Sequence, residues 1–197
     1  MKTDIQSIAE VIADAIKEGI LIFASASNNG ANYPITFPAR LQGVFCIGSA
    51  DGLGAKSSFN PPSEGTEKYS ALGEAVEAAY PASLSHEPGY NPSKGTVRTS
   101  GTSTSAPVAA AIAALLLDYI DQITDMTRAQ RYENIRKLFI DMSKATTGKD
   151  YRYLAPWYLF EGREDPKSYI KHVLSVPAGK IAVCQRIAKK LTVPSDR

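Results

Sequence analysis

The fold class is decided by residues 3–24, which read TDIQSIAEVIADAIKEGILIFA. Their first part repeats apolar side chains at the three- and four-residue spacing of an amphipathic helix over residues 3–17. The stripe consists of Ile5, Ile8, Val11, Ile12, Ala15 and Ile16. Gly19 stands where a helix commonly ends, and residues 20–24 form an apolar run of strand length. A helix followed at once by an apolar strand predicts a parallel α/β sheet.

A second apolar run, GVFCIGS at residues 43–49, has the same character. The polar segment between the two runs, residues 27–34, is rich in turn-forming residues. We therefore expect residues 20–24 and 43–49 to be adjacent parallel strands. Further along, Thr127 precedes a helix whose predicted core stripe comprises Ile135, Leu138, Phe139 and Met142.

Residues 100–107, SGTSTSAP, lead into the run VAAAIAALLLDYI at residues 108–120. This run is apolar on every helical face, which predicts a helix buried in the middle of the protein. The Ser103 hydroxyl would then lie at the N-terminal end of the helix, where the helix dipole stabilises negative charge that develops during nucleophilic attack. A simpler interpretation is that Thr102, Ser103 or Ser105 only caps the helix.

Four segments resemble one family. Residues 101–107, GTSTSAP, resemble the nucleophile motif of the subtilisin-like serine proteases, the subtilases, and residues 24–30, ASASNNG, resemble the strand and turn that carry that family's oxyanion-hole asparagine. Residues 33–39 with 44–50 resemble the family's Tyr-Pro loop and next core strand, and residues 57–60 resemble the segment after it. The resemblance implies a three-layer α/β fold with a mostly parallel sheet, of which this chain is the C-terminal part.

The resemblance also implies a role for individual residues. Ser103 would be the nucleophile that is acylated by the substrate, and Asn28 would donate its side-chain amide to the oxyanion beside the Ser103 backbone N–H. The substrate-binding residues implied in the same way are Ala26, Ser27, Tyr33 and Pro34. The family counterpart of Pro34 follows a cis peptide bond, so a cis bond is expected before Pro34.

The chain departs from the family pattern upstream of Asn28. Subtilases carry their catalytic Asp and His before the oxyanion asparagine, but only 27 residues precede Asn28, and none is a histidine. His86 lies in a Pro/Gly-rich loop and His172 in the tail, neither in the family's sequence context. The chain is therefore expected to be either a piece of a subtilase whose N-terminal part is absent or a shortened relative that has lost catalysis.

Two function classes follow from these features, and a third remains open. The first is a serine endopeptidase that acts on peptide or protein substrates through an acyl-enzyme, completed by the missing N-terminal part of the domain. The second is a catalytically inactive module that binds peptides or a protein partner. An unrelated α/β binding protein would have to match four family segments by chance.

Composition limits the other function classes. The 197 residues include 22 Lys+Arg and 20 Asp+Glu, a near-neutral balance that argues against nucleic-acid binding. No apolar run approaches the roughly 20 residues of a membrane span, so no membrane association is expected. Cys46 and Cys184 stand far apart without a metal-binding spacing, which predicts two reduced thiols and neither metal nor cofactor.

The N-terminal sequence lacks the features of a secretory leader, and with two unpaired cysteines an intracellular setting is favoured. The family resemblance ends near residue 145. We therefore expect residues 1–145 to be the peptidase part and residues 146–197 to be a C-terminal extension.

Overall fold

The computed structural model describes residues 4–63, 68–145 and 151–177. The chain divides into two compact units, which are described separately. The sheet unit comprises residues 22–111 and 145–153, and the helical unit comprises residues 1–21, 112–144 and 154–197. Cys184 lies outside the described residues.

The α-helices are α1 (Asp4–Lys17), α2 (Thr102–Asp121), α3 (Arg131–Met142) and α4 (Pro166–Ser175). The strands are β1 (Ile22–Ser25), β2 (Val44–Ala50), β3 (Tyr69–Leu72), β4 (Val76–Ala79), β5 (Thr96–Thr99), β6 (Ser143–Ala145) and β7 (Arg152–Leu154). Short 3-10 helices lie at Gly30–Asn32, Ala82–Leu84, Arg128–Gln130 and Pro156–Leu159.

The sheet unit contains β1, β2, β3 and most of β7, which belong to a mostly parallel sheet with the strand order β1-β2-β3-β7-β6. β1 pairs with β2 in parallel, with Ala24 opposite Cys46, which confirms the predicted pair of adjacent strands. β2 is buried at every position because both of its faces carry apolar or small side chains, as a central parallel strand requires. β4 and β5 form a separate antiparallel hairpin joined by residues 80–95.

The long apolar helix α2 begins in the sheet unit and continues into the helical unit. Its buried residues form a single stripe, namely Thr102, Ser105, Ala109, Ala113, Leu116 and Ile120. The prediction that it is buried on every side is wrong, because the helix residues off this stripe are only partly buried or exposed, and Leu115 is 73% exposed. α2 is long and apolar enough to cross a membrane. The core helices of soluble proteins also meet this criterion of length and composition.

The helical unit has a core beneath α3. All four residues of the predicted α3 stripe, Ile135, Leu138, Phe139 and Met142, are buried, and α3 packs against α4. The predicted helix forms as α1 and ends before Gly19, whose φ is +73°. Its apolar stripe is not fully buried, because Ile5 and Val11 are 54% and 69% exposed. The described part of this unit therefore covers α1 on only part of its apolar surface.

Candidate active site

The first part of the site follows the carboxyl end of β1. Ala26 extends the β1–β2 ladder by donating its N–H to Ile47 O at 2.9 Å, and the chain then turns at Ser27. Ser27 has a φ of +124°, a conformation that costs a non-glycine residue free energy and is found mostly where function requires it. The Ser27 N–H donates to Thr102 Oγ1 at 3.3 Å, and Ser27 Oγ accepts from Asn29 N at 3.3 Å. These contacts hold the turn that presents Asn28.

The second part is the turn that begins α2. Ser103 is exposed in the first turn of this 20-residue helix, where backbone N–H groups have no partner within the helix. The N–H of Gly101 donates to Gly73 O at 2.8 Å, and the N–H of Gly73 donates to Ala50 O at 2.9 Å. The turn before Ser103 is thereby attached to Gly73, which follows β3, and through Gly73 to Ala50 at the end of β2.

Two hydrogen bonds join the two parts and orient the Asn28 amide. Asn28 Oδ1 accepts from the Thr102 backbone N–H at 2.8 Å and from Thr102 Oγ1 at 2.9 Å. Because a backbone N–H can only donate, the atom that faces Thr102 must be the amide oxygen. The Asn28 Nδ2 group therefore points away from Thr102, with its two N–H donors available to a ligand.

Gly101 keeps the space between the two functional side chains open. A Cβ at this position would lie 3.0 Å from Asn28 Nδ2 and 3.2 Å from Ser103 Oγ. The nucleophile candidate and the amide donor candidate thus line the same small space. A reacting carbonyl needs its carbon near one of these groups and its oxygen near the other.

The four predicted substrate-binding residues lie in different surroundings. Ala26 is fully buried, Ser27 is half-buried, and Tyr33 is 57% exposed beside an exposed Pro34. The expected cis bond before Pro34 is wrong, because the cis peptide bond found among the described residues joins Phe37 to Pro38.

The loop after the β1 turn is attached to Ala26 through Thr36. The N–H and Oγ1 of Thr36 both donate to Ala26 O, at 3.1 and 3.3 Å. The residues next to the end of β1 are therefore Thr36 and its neighbours, whereas no such bond ties Tyr33 or Pro34 to it among the described residues. A proline-rich loop with two Xaa-Pro pairs four residues apart does not show by sequence alone which pair lies at the sheet.

The structure adds residues that the sequence had not assigned to the site. Thr102, expected at most to cap α2, orients Asn28. Behind the turn, Asn60 bonds the backbone of Ser49 through both polar atoms of its side-chain amide. Its Oδ1 accepts from Ser49 N at 2.8 Å, and its Nδ2 donates to Ser49 O at 2.7 Å. A Cβ on Gly73 would overlap Ser105 Oγ and come within 2.6 Å of Ser49 Oγ. This buried polar cluster fixes the position of the turn that carries Ser103.

Neither histidine is hydrogen-bonded to Ser103 in the described part of the chain. His86 and His172 are exposed, and no hydrogen bond within residues 4–63, 68–145 and 151–177 joins the Ser103 hydroxyl to a His, Asp or Glu. The same residues contain no cluster of three potential metal-ligating side chains. Cys46 is buried in β2, and this burial raises the pKa of its thiol to about 11 although the nearby Lys68 lowers it.

Comparison with known proteins places these features in a family. Residues 1–154 match the subtilase family. The chain belongs to the subtilases. A curated relative, the minor extracellular protease Epr of Bacillus subtilis (strain 168), is 26% identical over 151 residues, which are 77% of this chain and 21% of that protein.

Solved subtilase structures share the fold. The S218A mutant of the protease domain of PatA superposes with a TM-score of 0.65 at 20% identity, covering 87% of this chain and 55% of that one. The PatG macrocyclase in complex with peptide gives a TM-score of 0.59 at 23% identity, covering 86% and 48%. These likenesses confirm the predicted α/β fold with a mostly parallel sheet. This chain spans about half the length of the solved structures and about a fifth of the curated relative.

Proposed function

We propose that this chain is part of a subtilase peptidase domain and supplies the nucleophile Ser103 and the oxyanion donor Asn28. The observation that carries the proposal is the pair of hydrogen bonds from Thr102 to Asn28 Oδ1, which turn Asn28 Nδ2 away from Thr102. An amide held in one orientation before substrate binds needs no reorganisation when negative charge develops.

In this proposal Ser103 Oγ attacks the carbonyl carbon of a peptide bond and loses its proton to a general base. The carbonyl oxygen becomes an oxyanion that accepts hydrogen bonds from Asn28 Nδ2 and from the Ser103 N–H at the start of α2. Collapse of the tetrahedral intermediate breaks the C–N bond, releases the amine with the proton returned from the base, and leaves an ester on Ser103 that water hydrolyses. No cofactor is required.

No described His, Asp or Glu is hydrogen-bonded to Ser103, so the proposal includes an N-terminal part of the domain, absent from this chain, that carries the catalytic Asp and His. Residues 1–145 would be the peptidase part, and residues 146–197 an extension. Ala26 and Ser27 would line the primary specificity pocket, with Tyr33 and Pro34 near its base. The partial coverage of the solved relatives supports an absent part of the domain, whereas the family match over residues 1–154 extends beyond the proposed boundary at residue 145.

The second candidate is a catalytically inactive subtilase that binds peptides or a protein partner. The absence of a base next to Ser103 among the described residues favours it. A serine hydroxyl without a base is a weak nucleophile, while the surrounding donors can still bind an extended peptide.

Chemical rescue separates the two candidates. The chain is incubated with a fluorophosphonate probe and increasing imidazole, which acts as an external base, and labelled residues are identified by peptide mass mapping. We expect labelling at Ser103 that rises with imidazole, disappears in Ser103→Ala and falls about 10²-fold in Asn28→Ala. The exposed Ser58 is the internal control. Labelling no greater at Ser103 than at Ser58 under any condition would leave the binding module as the better account.

A further inference from the structure

The base of the β4–β5 hairpin lies directly before the turn that carries Ser103. Val76 pairs with Thr99 at the base of the hairpin. Just beyond this pair, the Gly101 N–H donates to Gly73 O at 2.8 Å. Between these two contacts the β4 side has one more residue than the β5 side, as in a β-bulge. Bulges beside active sites commonly redirect the side chains that follow them.

The bulge contains a strained residue that is bonded to Ser100. Ala75 has a φ of +54°, a left-handed conformation that costs alanine free energy because its Cβ crowds the backbone. Its N–H donates to a side chain instead of a strand carbonyl, namely to Ser100 Oγ at 2.9 Å. Ser100 stands in the segment that leads from β5 to Ser103. Its hydroxyl therefore holds the bulge from the strand that leads to the nucleophile candidate.

The other side of the same turn is held in a similar way. Ser27 and Ala75 are the non-glycine residues with a positive φ in the described part of the chain. The Ser27 N–H donates to Thr102 Oγ1 at 3.3 Å, so each strained residue bonds a hydroxyl that lies just before Ser103. Strained conformations persist only where the surrounding structure holds them, and they cluster at functional sites.

We propose that Ser100 is a positioning residue for Ser103. Its hydroxyl holds the bulge at Ala75, and the bulge sets the path of the backbone from β5 into the first turn of α2. The inference rests on the proposed function and adds a residue to the same site. Without this hydroxyl, Ala75 relaxes toward a negative φ, the backbone at Gly101 shifts with it, and Ser103 Oγ leaves the position from which it attacks. Ser100 and Ala75 are exposed, so the expected effect is that of one solvent-accessible hydrogen bond.

The test labels the full chain with a fluorophosphonate probe at a fixed imidazole concentration. Labelling at several probe concentrations gives the maximal rate constant and the half-saturating concentration separately. For Ser100→Ala we expect the maximal rate constant at Ser103 to fall about fivefold, because a misplaced hydroxyl attacks the bound probe more slowly. The half-saturating concentration and the labelling of Ser58 should stay unchanged.

Two further variants test the route through the bulge. Ser100→Thr keeps the hydroxyl and should label like the unchanged chain. Ala75→Gly, added to Ser100→Ala, should restore labelling, because glycine adopts a left-handed conformation without a hydroxyl to hold it. A loss in Ser100→Ala that Ala75→Gly does not recover would mean that the hydroxyl acts on Ser103 or the probe directly, which overturns this route. Urea unfolding verifies that each variant folds.

Amide exchange measured by NMR provides a readout that does not depend on the chemistry of Ser103. In Ser100→Ala, exchange of the Gly101 N–H should be about fivefold faster, because its bond to Gly73 O is less well held. Adding Ala75→Gly should slow this exchange again. The Ala26 N–H, which bonds Ile47 O, is the internal control and should exchange at the same rate in every variant.

The outcomes separate the two proposals. Faster exchange at Gly101 in a chain whose Ser103 labels no faster than Ser58 would support the positioning of the turn and contradict the proposed catalytic function. Imidazole-dependent labelling of Ser103 that Ser100→Ala leaves unchanged would keep the function and overturn the positioning role. Unchanged exchange at Gly101 in Ser100→Ala would overturn the positioning role in either case.

Discussion

Asn28 Oδ1 accepts both of the donors that Thr102 offers, the backbone N–H at 2.8 Å and the hydroxyl at 2.9 Å. One residue at the start of α2 thus fixes the amide that follows β1, 74 positions earlier in the chain. The Thr102 hydroxyl also accepts from Ser27 N at 3.3 Å, so it bridges two consecutive residues of the β1 turn. Thr102 is fully buried, which keeps water from competing for these bonds.

Replacing Thr102 by valine should loosen this amide. Thr102→Val removes the hydroxyl but keeps the shape of the side chain and the backbone N–H, so Asn28 retains one of its two bonds. We expect imidazole-dependent labelling of Ser103 to fall about fivefold, the equivalent of about 1 kcal/mol for one buried hydrogen bond. Thr102→Ser keeps the hydroxyl and should label nearly as fast as the unchanged chain. Equal labelling rates for Thr102→Val and Thr102→Ser would show that the hydroxyl does not position Asn28.

Gly73 should tolerate no side chain. In Gly73→Ala the new methyl group would overlap Ser105 Oγ and crowd Ser49 Oγ, so we expect the free energy of unfolding in urea to drop by about 1–3 kcal/mol. Gly52→Ala is the matched control, because a Cβ there meets nothing within 4 Å. A Gly73→Ala variant as stable as Gly52→Ala would mean that the buried polar cluster is packed differently.

The parallel strands were predictable because their signal is local. Two apolar runs predict β1 and β2, and the order of helix and strand predicts their direction. Asn28 and Ser103 were assigned to the candidate site for a different reason, because short sequence motifs contain them. The role of Thr102 was not, because it depends on a contact between residues 74 positions apart.

The predicted burial of α1 and α2 was wrong in part, because the burial of a helix depends on the elements that pack against it. The α2 sequence is apolar on every face, yet burial requires an element that packs against each face, and a sequence alone does not show which elements are present. Leu115 and Val11 are exposed for this reason. The cis bond was assigned to Pro34 instead of Pro38 because both prolines follow an aromatic residue in the same loop.

Cys46 should make stability fall at high pH. Burial raises the pKa of its thiol from 9.0 to about 11, so the folded chain holds this proton more tightly than the unfolded chain. The thiol therefore contributes stability that is intact below pH 9 and is lost between about pH 9 and pH 11, on the order of 2–3 kcal/mol in total. Urea unfolding at pH 8 and pH 11 measures this loss, and Cys46→Ala should show a smaller one. Identical pH dependence in the two proteins would contradict a buried thiol.

Tyr169 should stabilise the helical unit through Asp141. Its hydroxyl donates to the two carboxylate oxygens of this buried aspartate at 2.9 and 2.8 Å, while Arg163 lies 3.2 Å from the centre of its ring. Burial, the Asp141 charge and this hydrogen bond all raise the pKa of Tyr169, so the hydroxyl remains a donor well above neutral pH.

Tyr169→Phe leaves the Asp141 carboxylate without this donor, and we expect a loss of about 1–3 kcal/mol in the free energy of unfolding. Tyr119→Phe, which keeps the edge-to-face contact of ring 119 with Phe160, is the control and should change stability little. A loss no larger for Tyr169→Phe than for Tyr119→Phe would show that Asp141 does not depend on this hydroxyl.

The chain tested alone should hydrolyse peptides at a rate close to undetectable. Ser103 and Asn28 line a common space, but a serine hydroxyl without a base attacks a peptide carbonyl poorly. In subtilisin, the removal of triad members leaves only about 10³–10⁴ over the uncatalysed rate, which comes from the oxyanion hole and substrate binding. A fluorogenic peptide assay, with Ser103→Ala as the background, measures what remains. Robust hydrolysis that survives Ser103→Ala would place the activity elsewhere, whereas robust hydrolysis that Ser103→Ala abolishes would require a general base within this chain.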